Sequence, residues 1–292
     1  MTWTVLENAG PWELGEGLRA TSRGLVAVDL LAGKLYRLGL EHDREPAALL
    51  ASVPFPLGAV APIQDSDAWI AAADTGVAVL NRDGTVEWLA RPEDDAPTRM
   101  RMNDGVTDPS GRFWAGSMAY DGTRAAGSLY RVDHDGSVHT AVEDLTVPNG
   151  PAFTPDGRTM YLADSADHVI YRVPVDPSTG EPGEREVFAR VPDGSPDGMV
   201  VDAEGCLWSA VWGASAVHRY APTGDLLASF SLPARQPTSV CLTLSPPHRV
   251  LVTTATYGLD APAPADGHVL TSPSDVGGHA TVPFRYTPQT AQ

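Results

Sequence analysis

Four short stretches carry residues that together have the chemistry of a metal or substrate site. Glu16 lies in WELGEGLRA, Asn103 in RMRMNDGVTDPSGRFW, Asn149 in TVPNGPAFTPDGRTMYLADS and Asp197 in SPDGMVVDAEGCLW. The last three share one form: Asn or Asp, a Gly within two positions, an apolar segment, a turn such as Asp-Pro-Ser-Gly or Asp-Ala-Glu-Gly, then a strand-forming run. Two carboxylates and two amide oxygens make a hard-oxygen donor set, suited to Ca²⁺, Mg²⁺ or Mn²⁺ and open to Zn²⁺. Taken singly, a polar residue beside glycine is ordinarily a turn residue. Asp197 shows the ambiguity, because Asp193-Gly194 already supplies a turn nearby. Whether it is turn or ligand depends on whether the four positions recur at one phase of a larger pattern.

Such a pattern runs along the chain. The segments 23–38, 67–89, 110–142, 156–176, 204–230 and 247–272 each contain a strand, a tight connection and a second strand, often followed by an Asp-Gly or Thr-Gly turn. Equivalent positions Leu25, Ile70, Trp114, Tyr161, Trp208 and Leu251 recur every 43 to 47 residues, the length of a four-stranded propeller blade. Six copies predict an all-β fold, a six-bladed β-propeller with a central metal site, forming a single domain over residues 1–292. The turns Asn81–Gly84, Asp133–Gly136 and Ala221–Gly224 fit hairpins between outer strands. Loops feeding the innermost strands converge on the propeller axis, and the four polar positions are expected in those loops.

Composition agrees. With 28 Gly and 26 Pro among 292 residues, the apolar positions fall in short runs broken by turns, as many short strands require. A net charge of −17 disfavours nucleic acid and anionic lipid as partners and favours a cation. Cys206 and Cys241 lack CxxC or zinc spacing and read as buried free thiols. The start of the chain has no basic segment followed by an apolar core, and no stretch has the length of a membrane span. The expectation is a cytoplasmic protein with a small-molecule substrate, a monomer or weak homo-oligomer.

Competing constellations are poor. Lys34 is the only lysine, which leaves a P-loop or Schiff-base site almost no candidate. G-x-S-x-G is absent. GEGLRA matches a dinucleotide fingerprint in form only, since no βαβ unit surrounds it. The eight histidines, His42 among them, show no paired ligand spacing; His168 and Trp212 follow inner strands closely and read as packing residues beside the channel.

The segments LGEG (14–17), RMNDGVTDPSGRFWAGSM (101–118), VPNGPAFTPDGRTMYLADS (147–165) and PDGMVVDAEGCLW (196–208) resemble the senescence marker protein, gluconolactonase and luciferin-regenerating enzyme family, and the resemblance covers nearly the whole chain. It implies a six-bladed propeller holding one divalent cation (Ca²⁺, Zn²⁺, Mn²⁺ or Mg²⁺) on Glu16, Asn149 and Asp197, with Arg101 and Asn103 contacting substrate and Tyr120 and Asp121 standing where some relatives carry substrate-facing residues. The implied activity is metal-dependent opening of a sugar lactone or related cyclic ester, with Asp197 as the catalytic base. Two departures bear on the substrate: Leu18-Arg19-Ala20 follows GEG where the family has Pro and an aromatic residue, and TSVCLTLSPPHRV lacks the usual Phe-Gly-Gly. A hydrolase of a specialised ester or organophosphate, and a calcium-binding propeller without catalysis, are the alternatives.

Overall fold

The computed structural model describes residues 1–39 and 46–287, so His42 lies outside the described residues. These form six four-stranded antiparallel sheets. Blade 1 runs outward from its inner strand Gly15–Thr21 through Gly24–Asp29 and Lys34–Leu38 to Ala48–Ser52. The inner strands of blades 2 to 6 are Leu57–Pro62, Met100–Thr107, Pro148–Phe153, Ser195–Val201 and Pro237–Leu242. Leu25, Ile70, Trp114, Tyr161, Trp208 and Leu251 all fall on the second strand of their blades. The sixth blade takes its outermost strand, Thr4–Leu6, from the start of the chain, pairing Thr4 with Thr271 and Leu6 with Val269.

Burial falls from axis to rim. The inner strand of blade 1 is buried at every position, whereas its outermost strand is half-buried to exposed. An inner strand has a neighbouring blade on each face, so its apolar residues need not alternate with polar ones. Packing follows the same geometry, with one apolar cluster between each adjacent pair of blades. Leu18, Ala20 and Ala27 of blade 1, for example, meet Cys241 and Leu251 of blade 6, and Trp114 and Leu129 of blade 3 meet Met160 and Leu162 of blade 4. Cys206 and Cys241 are buried free thiols.

The repeated turn motif also has a structural reason. Asp108 and Asp202, at the start of Asp-Pro-Ser-Gly and Asp-Ala-Glu-Gly, each accept a hydrogen bond from the indole of the Trp six residues on, at 3.1 Å from Trp114 and 2.8 Å from Trp208. Each bond ties the turn to the strand it feeds, and the Asp202 carboxylate is further paired with Arg219 at 2.7 Å. The expected outer hairpins are present: the amides of Gly84, Gly136 and Gly224 donate back to Asn81, Asp133 and Ala221.

Residues 278–287 cross the end of the propeller opposite the four polar positions. Thr281 donates to the Ala20 carbonyl at 2.7 Å, Phe284 to Pro62 at 2.8 Å and Thr287 to His134 at 2.7 Å, strapping blades 1, 2 and 3 together. Phe284 is fully buried among Ala59, Ile63, Met102 and Phe113. Among the described residues no helix is long and apolar enough to cross a membrane.

Candidate active site

Glu16, Asn103, Asn149 and Asp197 sit on four inner strands, each at the same irregularity. Glu16 pairs with Val28 but Arg19 with Val26; Asn149 with Ala163 but Ala152 with Tyr161; Pro196 with Val211 but Met199 with Ser209; Met102 with Ser117 but Gly105 with Ala115. Each strand therefore contains one extra residue, a β-bulge that takes the local side chain out of the sheet's alternation. This corrects the expectation that the residues lie in loops feeding the strands. The glycines that suggested turns serve the bulges instead: Gly17 and Gly150 hold φ of +56° and +49°, values that a side chain rarely accepts. Asx-Gly chemistry looks the same in sequence whether the chain reverses or only kinks.

The bulges bring Glu16, Arg101, Asn103, Asn149 and Asp197 around one cavity of about 270 Å³. That is close to the lower bound of about 300 Å³ for small-ligand sites and fits a single small ring. A chain of hydrogen bonds orients the amides. Arg101 Nη1 donates to Asn103 Oδ1 at 2.6 Å, Asn103 Nδ2 to Asn149 Oδ1 at 2.6 Å, Asn149 Nδ2 to Ser165 Oγ at 3.0 Å, and Ser165 Oγ to the Pro196 carbonyl at 2.5 Å. Because Ser165 spends its proton on a carbonyl, it accepts from Asn149, and Asn149 Oδ1 is left as the acceptor beside the two carboxylates.

The carboxylates are under electrostatic load. Glu16 and Asp197 are 5% and 4% exposed, each accepts one short-range backbone hydrogen bond, from Gly17 and Gly198, and neither has an ion-pair partner among the described residues. Burial, then repulsion from Asp104, pushes Glu16 from its ordinary 4.5 up to about 8. Burial, then the charges of Glu16 and Asp104, also raises Asp197 well above its usual value. Arg101 is likewise buried without a carboxylate partner within ion-pair distance among the described residues, and desolvation lowers its pKa. Two desolvated carboxylates and an acceptor amide oxygen fit a hard divalent cation, which would supply the missing positive charge. Among the described residues no group of three or more His, Cys, Asp or Glu has the geometry of a metal site; this set has two acidic members and needs the Asn149 oxygen as its third.

Tyr120 and Asp121 stand apart from the cavity lining. The Tyr120 ring lies 5.9 Å from the Arg101 guanidinium carbon and 4.3 Å from that of Arg99, at the half-exposed rim. The Asp121 carboxylate is turned outward and closes a turn with the Thr123 amide and hydroxyl at 3.0 and 2.7 Å. Trp212 does line the cavity while packing against the apolar cluster that includes Leu14 and Ala255; His168 is exposed and binds the Gly194 carbonyl at 2.8 Å. Sequence reasoning missed Met118, Ser165 and Tyr257, which also line the cavity. Ser165 had a signal, since it directly follows the second strand of Asn149's blade, Thr159–Asp164; Tyr257 had none.

A propeller whose inner strands gather carboxylates, carboxamides and one guanidinium around the cavity at one end of its axis is built to take a small polar ligand there. The chain belongs to the family described as the SMP-30/Gluconolactonase/LRE-like region, which matches residues 14–256. Among its relatives, 6-deoxy-6-sulfogluconolactonase of Pseudomonas putida is 35% identical over 240 residues, covering 81% of this chain and 79% of that protein. L-arabinolactonase of Azospirillum brasilense is 34% identical over 291 residues, covering 94% and 93%. A crystal structure of regucalcin from Agrobacterium tumefaciens str. C58, described as a calcium-binding protein, superimposes with a TM-score of 0.86 at 34% identity and covers 96% of both chains.

Proposed function

We propose that this protein is a divalent-metal-dependent hydrolase that opens a sugar lactone or a related cyclic ester. The observation that carries the reading is the pair of buried, unpaired carboxylates, Glu16 and Asp197, facing the Asn149 oxygen across a cavity that also holds the unpaired Arg101. The relatives named as lactonases support the reaction class. Glu16, Asn149 and Asp197 are the residues to hold the cation. A divalent cation held there would supply Lewis acidity toward the lactone carbonyl and its developing negative charge.

The protein's own groups do the rest. Asp197, kept in place by the Gly198 amide at 3.0 Å, faces the cavity and takes the proton of the attacking water as general base. Arg101 orients substrate oxygens through the guanidinium N–H groups that its bond to Asn103 leaves facing the cavity, and Asn103, whose own N–H groups go to Asn149 and the Pro148 carbonyl, holds Arg101 against substrate. Trp212, Met118 and Tyr257 wall the cavity with apolar surface, which strengthens every polar contact inside. No covalent intermediate is needed.

The test is hydrolysis of a panel of aldonolactones by metal-stripped protein reconstituted separately with Ca²⁺, Mg²⁺, Mn²⁺ and Zn²⁺, with Asp197→Ala alongside. The expected result is metal-dependent turnover that the variant loses. Tight metal binding that requires Asp197 but opens no lactone would leave the site standing and refute the substrate class, in favour of a calcium-binding propeller or a hydrolase of another ester.

A further inference from the structure

Arg19 belongs to the stretch in which this chain departs from its family's pattern, and the structure puts it across the channel. It is 5% exposed. Its Nη2 meets Asp104 Oδ1 at 2.6 Å and the Gly105 carbonyl at 3.1 Å, both in blade 3; its Nη1 donates to the Leu18 carbonyl at 2.9 Å and to Ser239 Oγ of blade 6 at 3.3 Å. Asp104 in turn accepts from the Gly105 amide at 2.8 Å and, through Oδ2, from the Gly150 amide of blade 4 at 3.0 Å. Gly150 follows Asn149 and carries the left-handed bulge that aims it. One ion pair thus links the inner strands of blades 1, 3, 4 and 6.

Its height in the channel is also defined. Residues just upstream on the inner strands, Glu16, Asn103, Asn149 and, in blade 5, Asp197, line the site cavity. Residues just downstream, among them Leu18, Val106, Ala152 and Met199, line a second cavity of about 320 Å³, and Arg19 lines it with them. The pair therefore forms the floor between the two. Arg19 Nε is buried with no acceptor, so the side chain is held there at an energetic disadvantage, as expected of a group retained for what its two terminal nitrogens hold.

We propose that Arg19 is a positioning residue of the active site: by gripping Asp104 it fixes the Gly150 bulge, and through it the distance from Asn149 to Glu16 and Asp197. The role rests on the metal-dependent reading above. It makes a prediction opposite in sign to simple electrostatics, because removing a positive charge near a cation site should tighten cation binding, whereas loosening the ligand frame should weaken it.

The experiment is calorimetric titration of the metal-stripped full chain with Ca²⁺ and, separately, Mn²⁺, for wild type, Arg19→Met, Arg19→Lys and the control Arg219→Met, with melting temperatures recorded for each. Arg219 pairs with the fully buried Asp202 in blade 5, away from the channel, so its loss lowers the melting temperature without touching the site. The expected result is binding about tenfold weaker in Arg19→Met, in the range seen when a ligand's supporting partner is removed, about threefold weaker in Arg19→Lys, which keeps the charge but not the planar fork, and unchanged in Arg219→Met. Equal or tighter binding by folded Arg19→Met overturns the proposal. If Arg19→Met does not fold, Arg19→Lys decides: weaker binding supports the role and wild-type affinity overturns it. A wild-type chain that binds neither cation overturns the metal-dependent reading itself, and this role falls with it.

Discussion

Replacing Glu16 with Gln tests the electrostatic account without any cation present. In the metal-free protein the Glu16 carboxyl is raised from 4.5 to about 8 by burial and by Asp104. The folded chain therefore holds this proton more tightly than the unfolded chain does. The resulting stability is fully present below pH 4.5 and is lost as the pH rises through 8, at about 1.4 kcal/mol per pH unit within that window. Between pH 5 and pH 8 the loss is about 4 kcal/mol, which for a chain of this length lowers the melting temperature by about 8 °C. Gln has no proton to lose and fills the same space. It also removes one of the charges that raise Asp197 but leaves the burial of Asp197 and the Asp104 charge in place, so Glu16→Gln should lose stability over this range with a clearly shallower slope than the wild type and should melt above it at pH 8, while the two approach each other at pH 5. The assay is thermal unfolding in chelator, followed by circular dichroism at half-unit pH steps. Parallel curves for the two proteins across the whole range would refute the claim that Glu16 is a strained, unpaired carboxylate.

Two further outcomes separate the site from its scaffold. Tyr257→Ala removes a half-exposed ring from the cavity wall and should raise KM about fivefold with kcat within about twofold, the pattern of lost uniform binding, read from steady-state kinetics on the best lactone. Phe284→Ala empties a fully buried position between blades 2 and 3 and should destabilise the fold by about 3–5 kcal/mol in denaturant titration while leaving KM and cation affinity unchanged.

Much of this architecture is legible in the sequence because a propeller repeats. The spacing from Leu25 to Leu251 marks the second strand of every blade, and the common phase of Asn103, Asn149 and Asp197 places them on one cavity. What the sequence hides is geometry that residue types do not encode. A bulge at Gly150 and a turn at Gly136 have the same local signature, since both use a glycine at positive φ, and only pairing on both sides distinguishes them. Asp104 reads as the middle of an Asn-Asp-Gly turn, and its partner Arg19 is 85 residues away on another blade. Tyr120 and Asp121 draw attention only through likeness to relatives, and the Asp121 carboxylate is taken up by Thr123. Tyr257 lies in a loop whose reach to the axis depends on how blade 6 closes.

That closure sets an order of events. Within each of blades 1 to 5 the strands are neighbours in sequence, so they can zip as the chain emerges. The edge that turns a row of blades into a ring joins Thr4 to Thr271. Bringing such distant partners together costs about 3–4 kcal/mol more in loop entropy than closing a hairpin, and contacts of such separation form slowly. The proposed ligand set spans blades 1, 4 and 5, and its geometry is fixed only when that seam is sewn. The nascent chain thus carries its acidic residues on separate hairpins, apart from one another, until the final blade has joined both of its ends.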